Sequence, residues 1–317
     1  MNAPVDYNAI EGMFQRRYNQ IEVKFDSEHA VAWTYLKPSG VPCFNLDLLN
    51  ELRAHDSAIE GSGGRLMYKG ELRQIRYYVV ASKTENVFNL GGDLSLFVQR
   101  VKAQDRDALM SYAKLCVDNM HLRACNYHSP LITISLVQGE ALGGGFETAL
   151  SSNLIFAERR ARMGMPEILF NLFPGMGAYS LLSRRLGMKR AEEMILSGRI
   201  YTAEELHQMG VVDHLVEDGT GELAVNEFIH RNRHRNGMQA VFSCRQHFHP
   251  VSYEEMLNIT NVWVDAAMRL EEKDLKLMSR LVRSQFRYIQ GGAAAAIPVE
   301  TAEQEEAQYA VAQYATA

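Results

Sequence analysis

The chain of 317 residues contains 47% apolar and 22% charged residues and has a formal net charge of −5. These values are typical of a globular protein that buries a sizeable core, and they give no support to a general nucleic-acid binder. No apolar run is long enough to cross a bilayer, and the first residues, MNAPVDYNAIEG, lack the pattern of a secretory signal. The four cysteines form no C-x-x-C pair, so we expect neither a zinc site nor a disulfide framework, and a cytoplasmic location.

Strand alternation and helical spacing predict the elements of the first part of the chain. They are a lead-in at 1–17, a β-hairpin of strands 21–26 and 30–36, a helix at 45–60, a glycine loop at 61–64, a buried strand at 75–82, a glycine turn at 88–94 and a long helix at 95–124. The alternation of strands and helices favours an α/β architecture.

The centre of the chain is the stretch 131–177. A β-branched strand at 131–137 leads to three glycines, Gly143 to Gly145, and then to a helical pattern that begins near Phe146. Another strand is predicted at 153–157. The glycine triplet lacks the spacing of a dinucleotide-binding fingerprint, which argues against a Rossmann fold.

Beyond residue 177 the pattern becomes mainly helical. The predicted elements are helices at 178–187, 189–197 and 201–210 and a short strand at 211–216. Thr202 and Glu205 have the spacing of a capping box, and Gly187 is a candidate helix terminator. We therefore predict three segments: a catalytic core at 1–221, a C-terminal helical subdomain at 222–290, and a low-complexity, alanine-rich tail at 291–317.

The glycine triplet has a chemical consequence if it opens a helix. Backbone N–H groups at a helix N-terminus are unpaired, and glycines let a substrate oxygen approach them closely. A second glycine turn, FNLGGDL at 88–94, could add another N–H, and two such donors suit a thioester carbonyl. Glu147 and Glu167 could hold a water molecule and transfer protons. Simple turn geometry and helix capping explain the same residues, so these patterns alone leave the function open.

Residues 137–177 resemble the signature of the crotonase superfamily, the enoyl-CoA hydratase/isomerase group, and SGRIYTAEELHQMGVVDHLV at 197–216 resembles a later segment of that family. The resemblance implies an α/β fold built as a spiral of ββα units with a C-terminal helical part, and a trimer or a dimer of trimers. It implies no metal and no cofactor other than the phosphopantetheine of CoA or of acyl carrier protein, which carries the substrate.

Carried over to this sequence, the resemblance assigns the oxyanion N–H groups to Leu90 and Gly144, with Gly91 and Gly143 beside the substrate. It places Glu147 and Glu167 at the two acid/base positions of true hydratases. Candidates for the acyl-chain tunnel follow the second glutamate in sequence: Leu169, Phe170, Leu172, Phe173, Met176 and Tyr179. For most of the six, an ordinary position in the core is the simpler interpretation.

Within the superfamily, the turn FNLGGD and the longer N-terminal region resemble the diffusible signal factor synthases. This resemblance implies dehydration of a medium-chain 3-hydroxyacyl group on acyl carrier protein, followed by thioester hydrolysis to a free cis-2-unsaturated fatty acid used in quorum sensing. The alternatives are a conventional enoyl-CoA hydratase of fatty-acid oxidation and a non-enzymatic scaffold. An RNA-binding role has only the basic residues 230–235 behind it.

The resemblance also implies protein partners. They are acyl carrier protein and, as a regulator, the receiver domain of a sensor kinase, with no nucleic acid and no membrane. Lys69, Arg73 and Arg76, with the arginines near residue 230, could attract the acidic carrier. His230 and His234 have the i,i+4 spacing of metal ligands, although a solvated helix face is the simpler interpretation.

Overall fold

The computed structural model describes residues 17–289, with side chains as far as residue 281. A six-stranded sheet forms its centre, in the order β1-β2-β5-β7-β9-β12. β1 pairs antiparallel with β2, and all other neighbours in this sheet are parallel. The strands are β1 (Ile21–Asp26), β2 (Val31–Leu36), β5 (Tyr77–Ser82), β7 (Ile132–Val137), β9 (Leu154–Glu158) and β12 (His214–Val216).

A smaller four-stranded sheet has the order β11-β10-β8-β6. β6, β8 and β10 are parallel to one another, and β11 pairs antiparallel with β10. Its strands have three residues each: β6 (Val87–Asn89), β8 (Glu140–Leu142), β10 (Arg162–Gly164) and β11 (Ile200–Thr202). A separate hairpin consists of β3 (Arg65–Tyr68) and β4 (Glu71–Gln74).

The two sheets are connected as a spiral. β5, β7 and β9 enter the large sheet, the strand that follows each of them enters the small sheet, and a helical segment closes each turn. The α-helices are α1 (Leu46–Gly61), α2 (Leu94–Lys102), α3 (Arg106–Ala124), α4 (Gly144–Leu150), α5 (Ala178–Leu186), α6 (Met188–Ser197), α7 (Ala203–Gln208), α8 (Gly221–Asn232), α9 (Asn236–Cys244), α10 (Tyr253–Ala267) and α11 (Glu272–Ile289). Short 3₁₀ helices lie at Asn126–His128 and Pro166–Phe170. The predicted α/β spiral of ββα units with C-terminal helices is confirmed.

The predicted helix at 95–124 is wrong as a single element, because the chain breaks it into α2 and α3. Gln104 has a left-handed backbone with φ 53°, which a continuous helix does not allow. Asp105 then caps α3, and its side chain accepts the N–H of Ala108 at 3.1 Å. The capping box of Thr202 with Glu205 and the helix stop at Gly187 are present as predicted.

The C-terminal helices complete the core of the spiral. Val225 and Ile229 of α8 pack on one face of the six-stranded sheet, together with Phe242 of α9. Met256 and Trp263 of α10 belong to the larger apolar cluster, which also holds residues of α1 and α3. These helices therefore cover surfaces that the sheets alone would leave exposed. The predicted lead-in at 1–17 lies outside the described residues except at residue 17, and the tail at 291–317 lies wholly outside them.

Among residues 17–289, none of the helices combines the length and the apolar character needed to cross a membrane.

Candidate active site

The small sheet determines where the site lies. β6, β8 and β10 are adjacent and parallel, so the segments that leave their carboxyl ends start at the same edge. These segments are the turn at 90–93, the glycines that open α4, and the 3₁₀ helix that carries Glu167. The first and second of these segments are about 50 residues apart in the sequence, and the second and third are about twenty residues apart. All three nevertheless meet in one place.

The first turn is fixed by its asparagine. The Asn89 side chain accepts the N–H of Gly91 at 2.8 Å, and Gly91 takes a left-handed φ of 95°. A Cβ on Gly91 would lie 2.8 Å from the Leu142 carbonyl oxygen, so this position requires glycine. The turn consequently packs directly against the end of β8.

The prediction that Leu90 supplies an oxyanion N–H is wrong. The Leu90 N–H donates to the carbonyl of Pro42 at 2.8 Å and is not available to a substrate. The available donor is two residues further on, because the N–H of Gly92 has no hydrogen-bond acceptor among the described residues. The Leu90 side chain still lines the cavity described below.

The second turn supplies the other donor. Gly143 has a left-handed φ of 50°, and α4 starts at Gly144, whose N–H is in the first helical turn and lacks an intrahelical partner. The Gly92 nitrogen lies 3.5 Å from the position that a Cβ on Gly144 would take. Two unpaired N–H groups thus lie beside each other at the edge of the sheet, which is the arrangement that an oxyanion requires.

Glu147 lies one turn into α4 and is only 1% exposed. Its Oε1 accepts the N–H groups of Met176 and Ala178 at 3.0 and 2.9 Å, and these bonds fix the carboxyl group in place. Burial raises the pKa of Glu147 to about 7, although the backbone N–H groups favour the ionised form and oppose this shift. This carboxyl group can therefore exchange a proton near neutral pH.

Glu167 follows β10 on the 3₁₀ helix Pro166–Phe170. Its Oε1 lies over the α-carbon of Gly143, on the side where a Cβ would point, so a side chain larger than hydrogen there would displace it. Its Oε2 is buried and has no hydrogen-bond partner among the described residues. Burial, reinforced by the nearby charge of Glu147, raises the pKa of Glu167 to about 8. Glu167 therefore retains its proton to a higher pH than Glu147.

Both carboxyl groups line a cavity of about 240 Å³ whose walls are mostly apolar. Leu90, Gly91, Gly92, Gly143 and Gly144 line it as well. Of the predicted acyl-chain residues, four line it: Leu169, Phe170, Leu172 and Met176. The cavity therefore brings together both glutamates and four glycines of the two turns, namely Gly91, Gly92, Gly143 and Gly144.

The predictions for Phe173 and Tyr179 as cavity residues are wrong. Phe173 is partly exposed and packs on the outside of the core, because the chain turns at Asn171, which has a left-handed φ of 59°. The Tyr179 hydroxyl donates to Glu192 at 2.8 Å on the surface of α5 and α6. Both residues follow Glu167 in sequence, but the turn and the helix direct their side chains away from the cavity.

Much of the cavity wall comes from segments that carry no motif. α1 contributes Leu49 and Leu52, and α10 contributes Trp263. α3 contributes a row of side chains from one face of the helix: Tyr112, Cys116, Asn119, Met120 and Arg123. Helical spacing in the sequence identifies this row as one face of a helix, but spacing alone does not show which apolar faces surround a cavity.

The chain has no candidate metal centre in its described part, where no three His, Cys, Asp or Glu side chains form a group that could hold an ion. His230, which has metal-ligand spacing with His234, instead contacts His29 with a ring nitrogen separation of 3.3 Å.

Comparison with known proteins agrees with the geometry of the site. The sequence model of the family described as Enoyl-CoA hydratase/isomerase matches residues 68–249. The two glycine turns, α4 with Glu147, the 3₁₀ helix with Glu167 and the row on α3 all lie within this range. The chain therefore belongs to the enoyl-CoA hydratase/isomerase family, which is the crotonase superfamily.

Among curated relatives, the mevalonyl-coenzyme A hydratase of Beauveria bassiana is 43% identical over 103 residues, which cover 29% of this chain and 37% of that protein. The fatty acid oxidation complex subunit alpha of Pseudomonas putida strain F1 is 32% identical over 199 residues, 62% of this chain and 24% of the subunit. The chain thus spans well under half the length of these two relatives.

Two solved structures show the same fold. An enoyl-CoA hydratase from Bacillus halodurans superimposes with a TM-score of 0.69 at 18% identity, covering 83% of this chain and all of that one. The human mitochondrial delta3-delta2-enoyl-CoA isomerase superimposes with a TM-score of 0.67 at 17% identity, over 86% of this chain. The crotonase fold that the family resemblance implies is confirmed.

Proposed function

We propose that this enzyme dehydrates a medium-chain 3-hydroxyacyl group carried on acyl carrier protein and then hydrolyses the thioester to a free cis-2-unsaturated fatty acid. The observation that carries the proposal is the pair of buried carboxyl groups with raised pKa beside the free N–H groups of Gly92 and Gly144. Members of the family that add or remove water need both carboxyl groups, and this chain has both.

In the dehydration step, the thioester oxygen accepts the N–H groups of Gly92 and Gly144. These two bonds stabilise the enolate that forms when one carboxylate removes a proton from Cα. The bond from Cβ to the hydroxyl oxygen then breaks, and the second carboxyl group donates a proton so that water leaves. Because Glu167 holds its proton to a higher pH, we assign it as the donor and Glu147 as the acceptor.

In the hydrolysis step, the same two N–H groups hold the oxyanion of a tetrahedral intermediate. A water molecule loses a proton to a carboxylate as it attacks the thioester carbon, and the carbon–sulfur bond breaks as the thiolate accepts a proton. Dehydration leaves Glu147 protonated and Glu167 ionised, so in hydrolysis Glu167 accepts the proton of the attacking water and Glu147 gives its proton to the thiolate. These two transfers restore the starting state of the pair.

Replacing each glutamate tests this mechanism. We expect Glu147→Gln and Glu167→Gln each to lower kcat/KM for dehydration by about a hundredfold or more, because a glutamine side chain transfers no proton. Glu192→Gln is the matched control, since Glu192 contacts only the surface hydroxyl of Tyr179 in the described hydrogen bonds. Unchanged hydrolysis of an enoyl thioester by Glu147→Ala would show that the second step does not use the pair.

The carrier is tested by the basic residues around the β3–β4 hairpin. Lys69 is exposed at its turn and Arg76 follows it, whereas Arg73 is paired with Glu71 at 2.6 Å. We expect Lys69→Glu with Arg76→Glu to raise the KM of an acyl carrier protein substrate several-fold, because like charges repel the acidic carrier. The KM of the corresponding CoA substrate is the control and should not change. Equal changes in both KM values would contradict carrier recognition by this hairpin.

A conventional enoyl-CoA hydratase is the second candidate. The similarity to a fatty acid oxidation complex subunit favours it, and the two carboxyl groups serve hydration and dehydration equally well. Incubation with a 3-hydroxyacyl carrier protein separates the two candidates. Mass spectrometry should detect a free cis-2-enoic acid if the first proposal is correct. A reversible mixture of hydroxyacyl and enoyl thioesters without free acid would establish the conventional hydratase instead.

A further inference from the structure

One part of the cavity wall is polar although it lies in the core. On α3, the row of cavity residues that starts at Tyr112 ends with Asn119, Met120 and Arg123. Asn119 and Arg123 are 4% and 1% exposed, so bulk water does not reach them. The two residues are four positions apart on one helix, which places their side chains next to each other.

Asn119 presents an acceptor without a partner. Its Nδ2 donates to the carbonyl oxygen of Leu49 at 3.1 Å, and this bond determines which end of the amide is the oxygen, since a carbonyl cannot donate. Its Oδ1 is buried and accepts no hydrogen bond from the described residues. A buried amide oxygen in this condition requires a donor from a water molecule or a ligand.

Arg123 presents a donor without a partner. Its Nη2 lies 3.7 Å from the Asp56 carboxylate, which is an ion pair but exceeds hydrogen-bond distance. The Asp56 carboxylate also accepts the hydroxyl of Tyr78 at 3.0 Å. The Nε of Arg123 donates to no atom among the described residues, although the side chain is buried. Arg123 therefore has its charge matched by Asp56, while its buried Nε–H has no acceptor among the described residues.

An acceptor and a donor side by side favour one ligand chemistry. A hydroxyl group can donate to Oδ1 of Asn119 and accept from Nε of Arg123 at the same time. A carboxylate has no proton to give to Asn119, and an ammonium group has no lone pair for Arg123. A methyl group leaves both atoms unsatisfied in a medium of low polarity, which costs binding free energy.

We propose that Asn119 and Arg123 form a subsite for a hydroxyl group on the acyl chain, remote from the thioester. The proposal rests on the proposed function for the direction of the chain, because a thioester bound at Gly92 and Gly144 directs its acyl group into the same cavity. The preferred substrates are then acyl chains hydroxylated near their far end as well as at C3.

Binding can be measured without turnover. The chain has two tryptophans, and Trp263 lines the cavity whereas Trp33 stacks on Tyr35 in the large sheet. In a Trp33→Phe background, the fluorescence of Trp263 reports the titration of saturated medium-chain fatty acids, each paired with its terminally hydroxylated counterpart. At one chain length we expect the hydroxylated acid to bind about tenfold more tightly, the effect of two net hydrogen bonds. At other lengths the hydroxyl should weaken binding, because it is buried without a partner.

Two variants and a control locate the effect. Asn119→Leu should abolish the preference, and Arg123→Lys should do so while it retains the charge beside Asp56. Met120→Leu, an apolar cavity residue on the same helix, should retain it. Thermal unfolding of each variant verifies that it is folded. Because two variants test the same preference, the experiment remains decisive if one of them does not fold.

Equal affinities within every pair of acids, or no binding of any acid, would overturn the subsite and leave a bound water as the partner of both atoms. A preference for a hydroxylated acid in a protein that neither dehydrates nor hydrolyses a thioester would support the subsite and contradict the proposed function. The two proposals can therefore fail separately.

Discussion

Glu147 holds one carboxylate oxygen against two backbone N–H groups, whereas Glu167 leaves one oxygen without a partner. The N–H groups favour the ionised form of Glu147, and the negative charge of Glu147 favours the protonated form of Glu167. Two residues of the same type therefore reach different protonation states through their surroundings. This asymmetry is the physical basis for the acid and base roles that we propose.

The pH dependence of dehydration follows from these shifts. In the proposed mechanism, the active form has one ionised and one protonated carboxyl group. Because both pKa values lie well above the usual 4.5, at about 7 and about 8, this form is most abundant between those pH values. We expect kcat/KM to rise towards neutral pH as Glu147 loses its proton, and to fall above pH 8 as Glu167 loses its own. A rate that stays constant from acidic to alkaline pH would contradict these roles.

Gly143 provides a test of the backbone geometry. We expect Gly143→Ala to reduce stability by about 1–2 kcal/mol, the cost of a left-handed backbone for a residue with a Cβ. The new methyl group would also displace the Glu167 carboxyl group, so kcat/KM should fall by about tenfold or more. Urea unfolding and steady-state kinetics measure the two effects.

Gly61→Ala is the matched control for Gly143→Ala. Gly61 ends α1, its φ is not positive, and no heavy atom lies within 4 Å of the position of an added Cβ. We expect its stability to be unchanged or higher by up to about 1 kcal/mol, with normal kinetics. Equal losses in both variants would indicate that the geometry at Gly143 is not special.

At the residue scale, the sequence identifies side chains better than backbone donors. The motif leads to Glu147 and Glu167 directly, because carboxyl groups are chemically distinctive. It does not distinguish Leu90 from Gly92, since every residue of the turn has an N–H. Which N–H is free depends on the Pro42 carbonyl, which is 48 positions from Leu90 in sequence and reaches it only through the fold.

At the scale of elements, hairpin β1–β2 and strands β5 and β7 are predictable because six residues suffice to show an apolar pattern. The strands of the small sheet have three residues each, which is too few to show a period of two. The site nevertheless depends on these short strands, because they align the two glycine turns with Glu167. The least predictable elements are thus the ones that assemble the site.

The boundary between α2 and α3 gives a prediction at this scale. Asp105→Ala removes the cap of α3, and we expect the free energy of unfolding to decrease by about 1 kcal/mol. Asp105→Asn is the control, since an asparagine oxygen can still accept the N–H of Ala108. It loses only the exposed ion pair with Arg100, which contributes little. Equal destabilisation of both variants would attribute the effect to the ion pair.

At the scale of the whole molecule, the C-terminal helices are part of the cavity as well as of the core. Trp263 of α10 and Leu277 and Leu281 of α11 line the cavity, and α8 covers one face of the large sheet. Removal of these helices would expose buried apolar side chains of the large sheet and of the cavity wall. The segments beyond residue 221 therefore contribute to the folding of the rest.

A truncated chain tests this dependence. We expect residues 1–221 alone to lack a cooperative urea transition, because α8 to α11 no longer cover the large sheet and the cavity. A chain that ends at residue 290 retains all described elements and should unfold cooperatively. Circular dichroism during urea titration measures both. The same unfolding midpoint for both chains would show that the first 221 residues fold independently.

Oligomerisation remains a prediction from the family resemblance. Three large apolar side chains are exposed in this part of the chain: Leu223 on α8 is 61% exposed, Val241 on α9 is 66% exposed, and Phe248, which follows α9, is 84% exposed. We expect a trimer or a hexamer by sedimentation velocity, and we expect Phe248→Ser to weaken it if this surface is the interface. A monomer at micromolar concentration would contradict the prediction.

The three segments that leave β6, β8 and β10 have separate tasks at one edge of a small sheet. In the proposed mechanism, the first two segments donate N–H groups to the carbonyl oxygen of the thioester, and the third supplies the carboxyl group of Glu167, which those hydrogen bonds do not need. Natural or engineered exchange of the third segment could consequently change the reaction of a thioester, while the N–H groups of Gly92 and Gly144 remain in place to bind its carbonyl oxygen. Such modularity offers a route by which one scaffold acquires new reactions through local replacement.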